Sequence, residues 1–238
     1  MIEINGLTKC YKNRIAVNEL SLKIDDGEIF GLLGLNGAGK TTTIKMLSGI
    51  AEPTKGSATV YGHALSDVEG LKSVIGISPQ ESAVSPVHTV KENLVFVATL
   101  YGFDNKDAKT RAENLMRKFD LIDRAKDKAK SLSGGLCRRL SIAMALISEP
   151  KVLFLDEPTL GLDILSRREL WSIIKSLKKE MTVVLTTHYL EETEALCDKI
   201  AIMRDGKLVA VGTSDELIKL SGKENFEEAF IKLSGEYA

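Results

Sequence analysis

The run Gly34-Leu35-Asn36-Gly37-Ala38-Gly39-Lys40-Thr41 fits the spacing G-x-x-x-x-G-K-[ST] without a mismatch. Glycines at those places let backbone N–H groups turn inward around phosphate oxygens, and a helix starting there aims its positive dipole end at them. Lys40 can then reach β- and γ-phosphates, while the Thr41 hydroxyl can ligate Mg²⁺. Thr42 is counted with the loop. An apolar strand over Ile29 to Leu33 precedes the loop and a helix over Lys40 to Ser48 follows it, which an accidental glycine-rich turn would lack.

Val152-Leu153-Phe154-Leu155-Asp156-Glu157 supplies a second element: a buried strand with two carboxylates at its C-terminal end, where open α/β sheets bind ligands. Asp156 would hold Mg²⁺ directly or through water. Glu157 points elsewhere and suits a base or water-orienting role in attack on a γ-phosphate. Taken alone such a strand end is usually structural; its weight comes from the phosphate loop. GTPases, kinases and ATPases remain open at this stage. Asp67-Val68-Glu69-Gly70 matches a loose D-x-x-G, but no [NT]-K-x-D follows, so the match is read as chance.

Leu132-Ser133-Gly134-Gly135 directly precedes a helix and offers a second anion site made of backbone N–H groups and a hydroxyl, or else a simple helix cap. With these three motifs the chain resembles the ATP-binding cassette (ABC) ATPases over nearly its whole length, and its tail, 224–236, resembles the end of bacterial exporter ATPases for drugs, lipids, polysaccharides or ions. The resemblance implies an α/β fold: a P-loop NTPase core with a mixed sheet, an antiparallel β subdomain and an inserted α-helical subdomain at approximately 81–150. Residues 1–238 would form a single nucleotide-binding domain. It implies ATP and Mg²⁺ as ligands and a homodimer or pseudo-dimer in which Ser133, Gly134 and Gly135 of one subunit close over nucleotide held by the other.

Further residues match the family one at a time. Tyr11 stands where an aromatic stacks on adenine, with a packed strand-end tyrosine as the alternative. Gln80, in Ser78-Pro79-Gln80, resembles the glutamine that contacts Mg²⁺ and the attacking water. His188, after the strand Val183 to Thr186, resembles the histidine that bonds the γ-phosphate. Asp163, in Leu160-Gly161-Leu162-Asp163, resembles the loop that signals across the dimer and also suits a helix cap. Leu136 replaces the usual glutamine of the signature, and Arg138 and Arg139 read as a solvated helix face.

Positioning these residues requires alternating elements. Strands are expected over Ile2 to Ile4, Ser21 to Ile24, Ala58 to Tyr61 and Val74 to Ile77, with a turn at Asp25-Asp26-Gly27. From Thr89 to Ile147 apolar residues recur at helical spacing, and the final third alternates strand and helix as a helix-covered parallel sheet does. Asp205-Gly206 links two short strands, and a polar helical tail follows.

Composition sets the outer limits. The 238 residues carry 32 Lys plus Arg against 33 Asp plus Glu, without the basic surplus of a nucleic-acid binder. No stretch approaches the ~20 apolar residues of a spanning helix, and the first residues do not read as a signal peptide. Three widely spaced cysteines suggest free thiols in a reducing cytoplasm. The resemblance therefore implies transmembrane permease subunits on a separate chain, docked in a groove lined by residues of Glu81 to Tyr101, with Pro86, Val87 and Phe96 as apolar candidates. It places the protein in the cytoplasm, peripheral on the inner face of the cell membrane. The tail, 224–236, resembles exporter ATPases and lacks the regulatory domain of several importers, which favours export. An importer ATPase, an ABC ATPase acting on ribosomes or DNA, and an inactive nucleotide sensor are the alternatives. The sensor is disfavoured by the presence of both Glu157 and His188.

Overall fold

Three strands explain why the centre of the molecule is apolar. In β3 (Ile29–Leu33), β7 (Val152–Asp156) and β8 (Thr182–Thr187) every residue is buried, as in a parallel sheet covered on both faces. Their side chains alternate between two cores. Leu153, Leu155, Val183 and Leu185 pack into one, and Val152, Phe154 and Val184 into the other. The computed structural model describes residues 1–178 and 180–235.

The remaining strands in chain order are β1 (Ile2–Tyr11), β2 (Arg14–Ile24), β4 (Lys55–Val60), β5 (His63–Ala64), β6 (Ile75–Ser78), β9 (Lys199–Arg204) and β10 (Lys207–Gly212). The helices are α1 (Lys40–Leu47), α2 (Val68–Val74), α3 (Val90–Leu100), α4 (Asn105–Lys118), α5 (Gly134–Ala145), α6 (Ile164–Leu177), α7 (Leu190–Leu196), α8 (Ser214–Ser221) and α9 (Phe226–Ser234). Six strands form a mixed sheet in the order β10-β9-β3-β8-β7-β6, parallel except for β10. Four form an antiparallel sheet, β2-β1-β4-β5.

Between β6 and β7 the chain leaves the sheet for α3, α4 and α5. Thr89 opens α3 with a reciprocal capping box: it accepts from the Glu92 N–H, and the Glu92 carboxylate accepts from the Thr89 N–H. Val90, Leu94, Ala108, Met116, Leu140 and Ile142 fill the core beneath these helices.

The strand order does the positioning. β6, β7, β8 and β3 are successive neighbours running the same way, so their C-terminal ends share one edge. Asp156 ends β7, and Gln80, Glu157, His188 and the glycine-rich loop follow the ends of β6, β7, β8 and β3.

Four sequence expectations are corrected. Val74 closes α2 and is not the first residue of a strand. Strands β1 and β2 are far longer than their apolar cores suggest, because hairpin pairing carries polar residues such as Lys9 and Arg14 into the ladder. The tail is not polar throughout: Leu217, Phe226 and Phe230 pack on Leu33, Ile200 and Ile202, while Glu236 of the expected tail lies outside the described residues. Arg138 and Arg139 are buried, 9% and 8% exposed, not solvated. Asp67 caps α2 through the Gly70 N–H, which gives the D-x-x-G match a structural use.

Candidate active site

The loop between β3 and α1 wraps around the first turn of α1. Gly39 stands at φ 102°, and a Cβ there would meet the Ala16 carbonyl oxygen at 2.6 Å. A Cβ on Gly34 would lie 2.3 Å from the Met203 carbonyl oxygen. Both positions admit only glycine, which lets the loop turn its N–H groups toward a ligand. Lys40 is buried, and its Nζ donates to the carbonyls of Gly34 (2.6 Å) and Leu35 (3.3 Å).

Nζ also lies 3.3 Å from Oε1 of Glu157. The other carboxylate oxygen of Glu157, Oε2, lies 2.9 Å from Nδ1 of His188. Glu157 is 5% exposed and adopts φ 48°, a left-handed conformation uncommon outside glycine, while its N–H donates to the Thr186 hydroxyl at 3.0 Å. Beneath it, Oδ1 of Asp156 accepts from the hydroxyls of Thr41 (2.9 Å) and Thr186 (2.6 Å). A carboxylate, an ammonium, an imidazole and a hydroxyl–carboxylate pair thus converge. They border an open cleft of about 640 Å³, a size suited to a nucleotide.

The family described as "ABC transporter" matches residues 17–160. This chain belongs to the ABC transporter family. The linearmycin resistance ATP-binding protein LnrL of Bacillus subtilis (strain 168) is 42% identical over 93% of this chain and 72% of its own length. The Nod factor export ATP-binding protein I of Burkholderia orbicola (strain AU 1054) is 39% identical over 92% of this chain and 72% of its own. Among solved structures, an ATP-binding subunit of an ABC transporter superposes with a TM-score of 0.87 at 30% identity, covering 98% of this chain and 99% of that one. The ATP-binding cassette MJ0796, a dimer in a post-hydrolysis state with ADP and Pi, gives 0.81 at 25% identity over 90% and 98%. The ABC chain described here is accordingly an ATP-binding, ATP-hydrolysing subunit of a transport system.

In this cassette the cleft is lined by Tyr11, Asn36, Gly37, Ala38, Gly39, Lys40, Thr41, Thr42, Gln80, Glu157 and His188. Gly34 and Leu35 lie behind it as acceptors for Lys40, and Asp156 lies below. Ser133, Gly134, Gly135 and Asp163 are not part of this lining. Gly135 and Asp163 both approach Ser166, and a Cβ on Gly134 would lie 3.8 Å from Leu162 of the loop that Asp163 ends. Ser133 caps α5 by accepting from the Leu136 N–H at 3.3 Å. A Cβ on Gly135 would meet the Ser166 hydroxyl at 2.8 Å. Asp163 caps α6, accepting from the N–H groups of Leu165 and Ser166 and from the Ser166 hydroxyl at 2.7 Å. Its bonds with Ser166, more than that with Leu165, hold its carboxyl below the ordinary aspartate value.

Arg14, Ala16 and Leu160 line the cleft without having been singled out from the sequence. Arg14 faces Tyr11 across the two-residue turn of the β1–β2 hairpin, a pairing that could have flagged it once Tyr11 was chosen. Its Nη2 donates to the Gly37 carbonyl at 3.5 Å. Behind His188, Glu192 on α7 is wholly buried, with Oε1 accepting from the Trp171 indole N–H at 3.1 Å and Oε2 unpartnered among the described residues. Burial raises its carboxyl above the usual glutamate range, against the pull of Thr187, Thr159 and Trp171.

Proposed function

We propose that this cassette hydrolyses Mg²⁺-bound ATP to power export through transmembrane chains of its own transporter. The observation that carries the reading is the convergence of Lys40, Glu157, His188 and Gln80 from four neighbouring strand ends on one cleft. The loop N–H groups and Lys40 bind the phosphates and offset their charge. Glu157 accepts the proton of the attacking water, His188 steadies the Glu157 carboxylate through Nδ1 and bonds the γ-phosphate, and Gln80 orients the water. Tyr11 would stack on the base.

The donor set fits magnesium. Thr41, with its hydroxyl 2.9 Å from an Asp156 carboxylate oxygen, Asp156 itself and the Gln80 amide oxygen would hold such a cation, all hard oxygen donors of the kind magnesium takes. Among the described residues no group of three or more His, Cys, Asp or Glu could hold a metal. The cation would neutralise charge on the β- and γ-phosphates.

Two surfaces suggest partners. Ser133, Gly134, Gly135 and Asp163 sit apart from their own chain's cleft, beside Ile164 and Leu165, which are 71% and 73% exposed. Closing over nucleotide held by a second cassette would cover these residues, as the dimeric MJ0796 structures make reasonable. An apolar groove of about 400 Å³ runs between the sheet and α3 and α5, lined among others by Ile77, Pro79, Val97, Tyr101 and Met144, and suits a docking segment of the permease. Phe96 borders a separate hollow with His88 and Lys91, and Val87 is 63% exposed. The stretch between β6 and β7 acts here as the inserted helical subdomain. No described helix is long and apolar enough to cross a membrane. The spanning part of the transporter is assigned to separate chains, with this one at the membrane's inner face, a reading supported by relatives described as ATP-binding proteins.

Glu157→Gln tests the reading. It should retain ATP binding by calorimetry while turnover falls roughly 10²–10⁴-fold, the worth of a positioned base. Unimpaired turnover removes Glu157 from the mechanism, and isolation of the native chain on ribosomes instead of with a membrane protein removes the export role.

A further inference from the structure

The signature helix α5 carries two adjacent arginines, both buried, and their partners differ. Arg139 pairs with Glu169 of α6 and, at 3.6 Å, with Asp120. Arg138 has no carboxylate within salt-bridge distance among the described residues. Its guanidinium instead spans two consecutive main-chain carbonyls, Nη1 donating to Pro79 O at 2.7 Å and Nη2 to Gln80 O at 2.8 Å. One helical turn on, the Ser141 hydroxyl meets the Ser78 hydroxyl at 2.9 Å, with both side chains buried. Positions 138 and 141 share a helix face. Ser78, Pro79 and Gln80 are therefore each fastened to α5, the helix that Ser133 opens.

Burying a guanidinium is costly unless its donors are used, and charge-assisted bonds to carbonyls use them well. A planar fork reaches two acceptors at fixed spacing, whereas an ammonium is a single point charge. The Gln80 side chain enters the nucleotide cleft from a backbone held in this way.

We propose that Arg138 is a positioning residue for Gln80: it fixes the main chain from which Gln80 reaches the attacking water and makes Gln80 move with α5. The proposal rests on the reading of Gln80 given above.

The test is a double-mutant cycle on the full chain. Arg138→Met keeps the length and removes the donors, and should lower kcat about tenfold to a hundredfold, the effect of a reacting group displaced by about an ångström. Affinity for Mg²⁺-free ATP, measured by calorimetry, should stay within about twofold of wild type, since independent sites behave so. The gain in ATP affinity that Mg²⁺ brings to the wild type should shrink in Arg138→Met. Arg138→Lys, which also serves if the methionine variant folds poorly, should recover part of the loss. In a Gln80→Ala background Arg138→Met should lower kcat no further. Equal losses with and without Gln80, or an unchanged kcat in Arg138→Met alone, overturn the proposal. A Gln80→Ala chain with full turnover overturns the reading of Gln80 beneath it, and that single variant reveals which of the two has failed.

Discussion

Glu157 holds a left-handed backbone while its carboxylate is divided between Lys40 and His188. A non-glycine residue there costs about 1–3 kcal/mol, and such strain persists where surrounding structure over-determines it. Here the Thr186 hydroxyl, the Lys40 ammonium and the His188 imidazole do so. Glu192, behind the same turns, is the residue whose burial leaves a pH signature. Its carboxyl is raised in the folded chain, chiefly by burial. Folding therefore favours the protonated form: its contribution to stability is complete below the ordinary glutamate value and declines as pH rises through the raised one. Urea midpoints measured across that window should fall in the wild type and fall less in Glu192→Gln, which cannot ionise. Parallel pH slopes would show that Glu192 contributes nothing to them. The phosphate-loop residues were legible because their spacing admits little else. Arg138 and Arg139 were not, since an arginine pair on a helix looks the same whether its partners are water, carbonyls or carboxylates.

Elements were legible in proportion to how fully they are buried. Strands β3, β7 and β8 stand out because a strand covered on both faces must be apolar throughout. Helix α4 lies inside the stretch read as helical, but it buries only Ala108, Ala112 and Met116 of fourteen residues, too small a stripe for periodicity to mark its own bounds. The two-sided packing of β7 also sets the cost of breaching it. Phe154 is 0% exposed, and Phe154→Ala should destabilise the fold by about 3–5 kcal/mol in urea unfolding. A loss below about 1 kcal/mol would mean that the core on that face closes over the gap.

At the scale of the molecule, the cleft bordered by Lys40 and Glu157 does not include Ser133 or Asp163, which cap α5 and α6 away from its lining. If each cassette completes its neighbour's cleft, damage to the two sites should complement in trans. Mixing Ser133→Arg chains with Lys40→Ala chains leaves one intact composite cleft in each mixed dimer. Such mixtures should bind ATP and recover part of the turnover that each variant alone lacks. Mixtures as inactive as either parent would confine catalysis to a single chain and leave Ser133 as a helix cap.

The sequence by itself determined the phosphate loop, the Asp156-Glu157 strand end and the signature turn, because the chemistry of phosphate binding restricts residue type at fixed local spacing. Tertiary structure alone decided which of these share a cleft. Strand order sets that, and it is written in pairings between segments far apart in the chain. The same distance effect hid the grip of Arg138 on the Gln80 backbone and the buried Glu192. Each depends on a partner that only folding brings near.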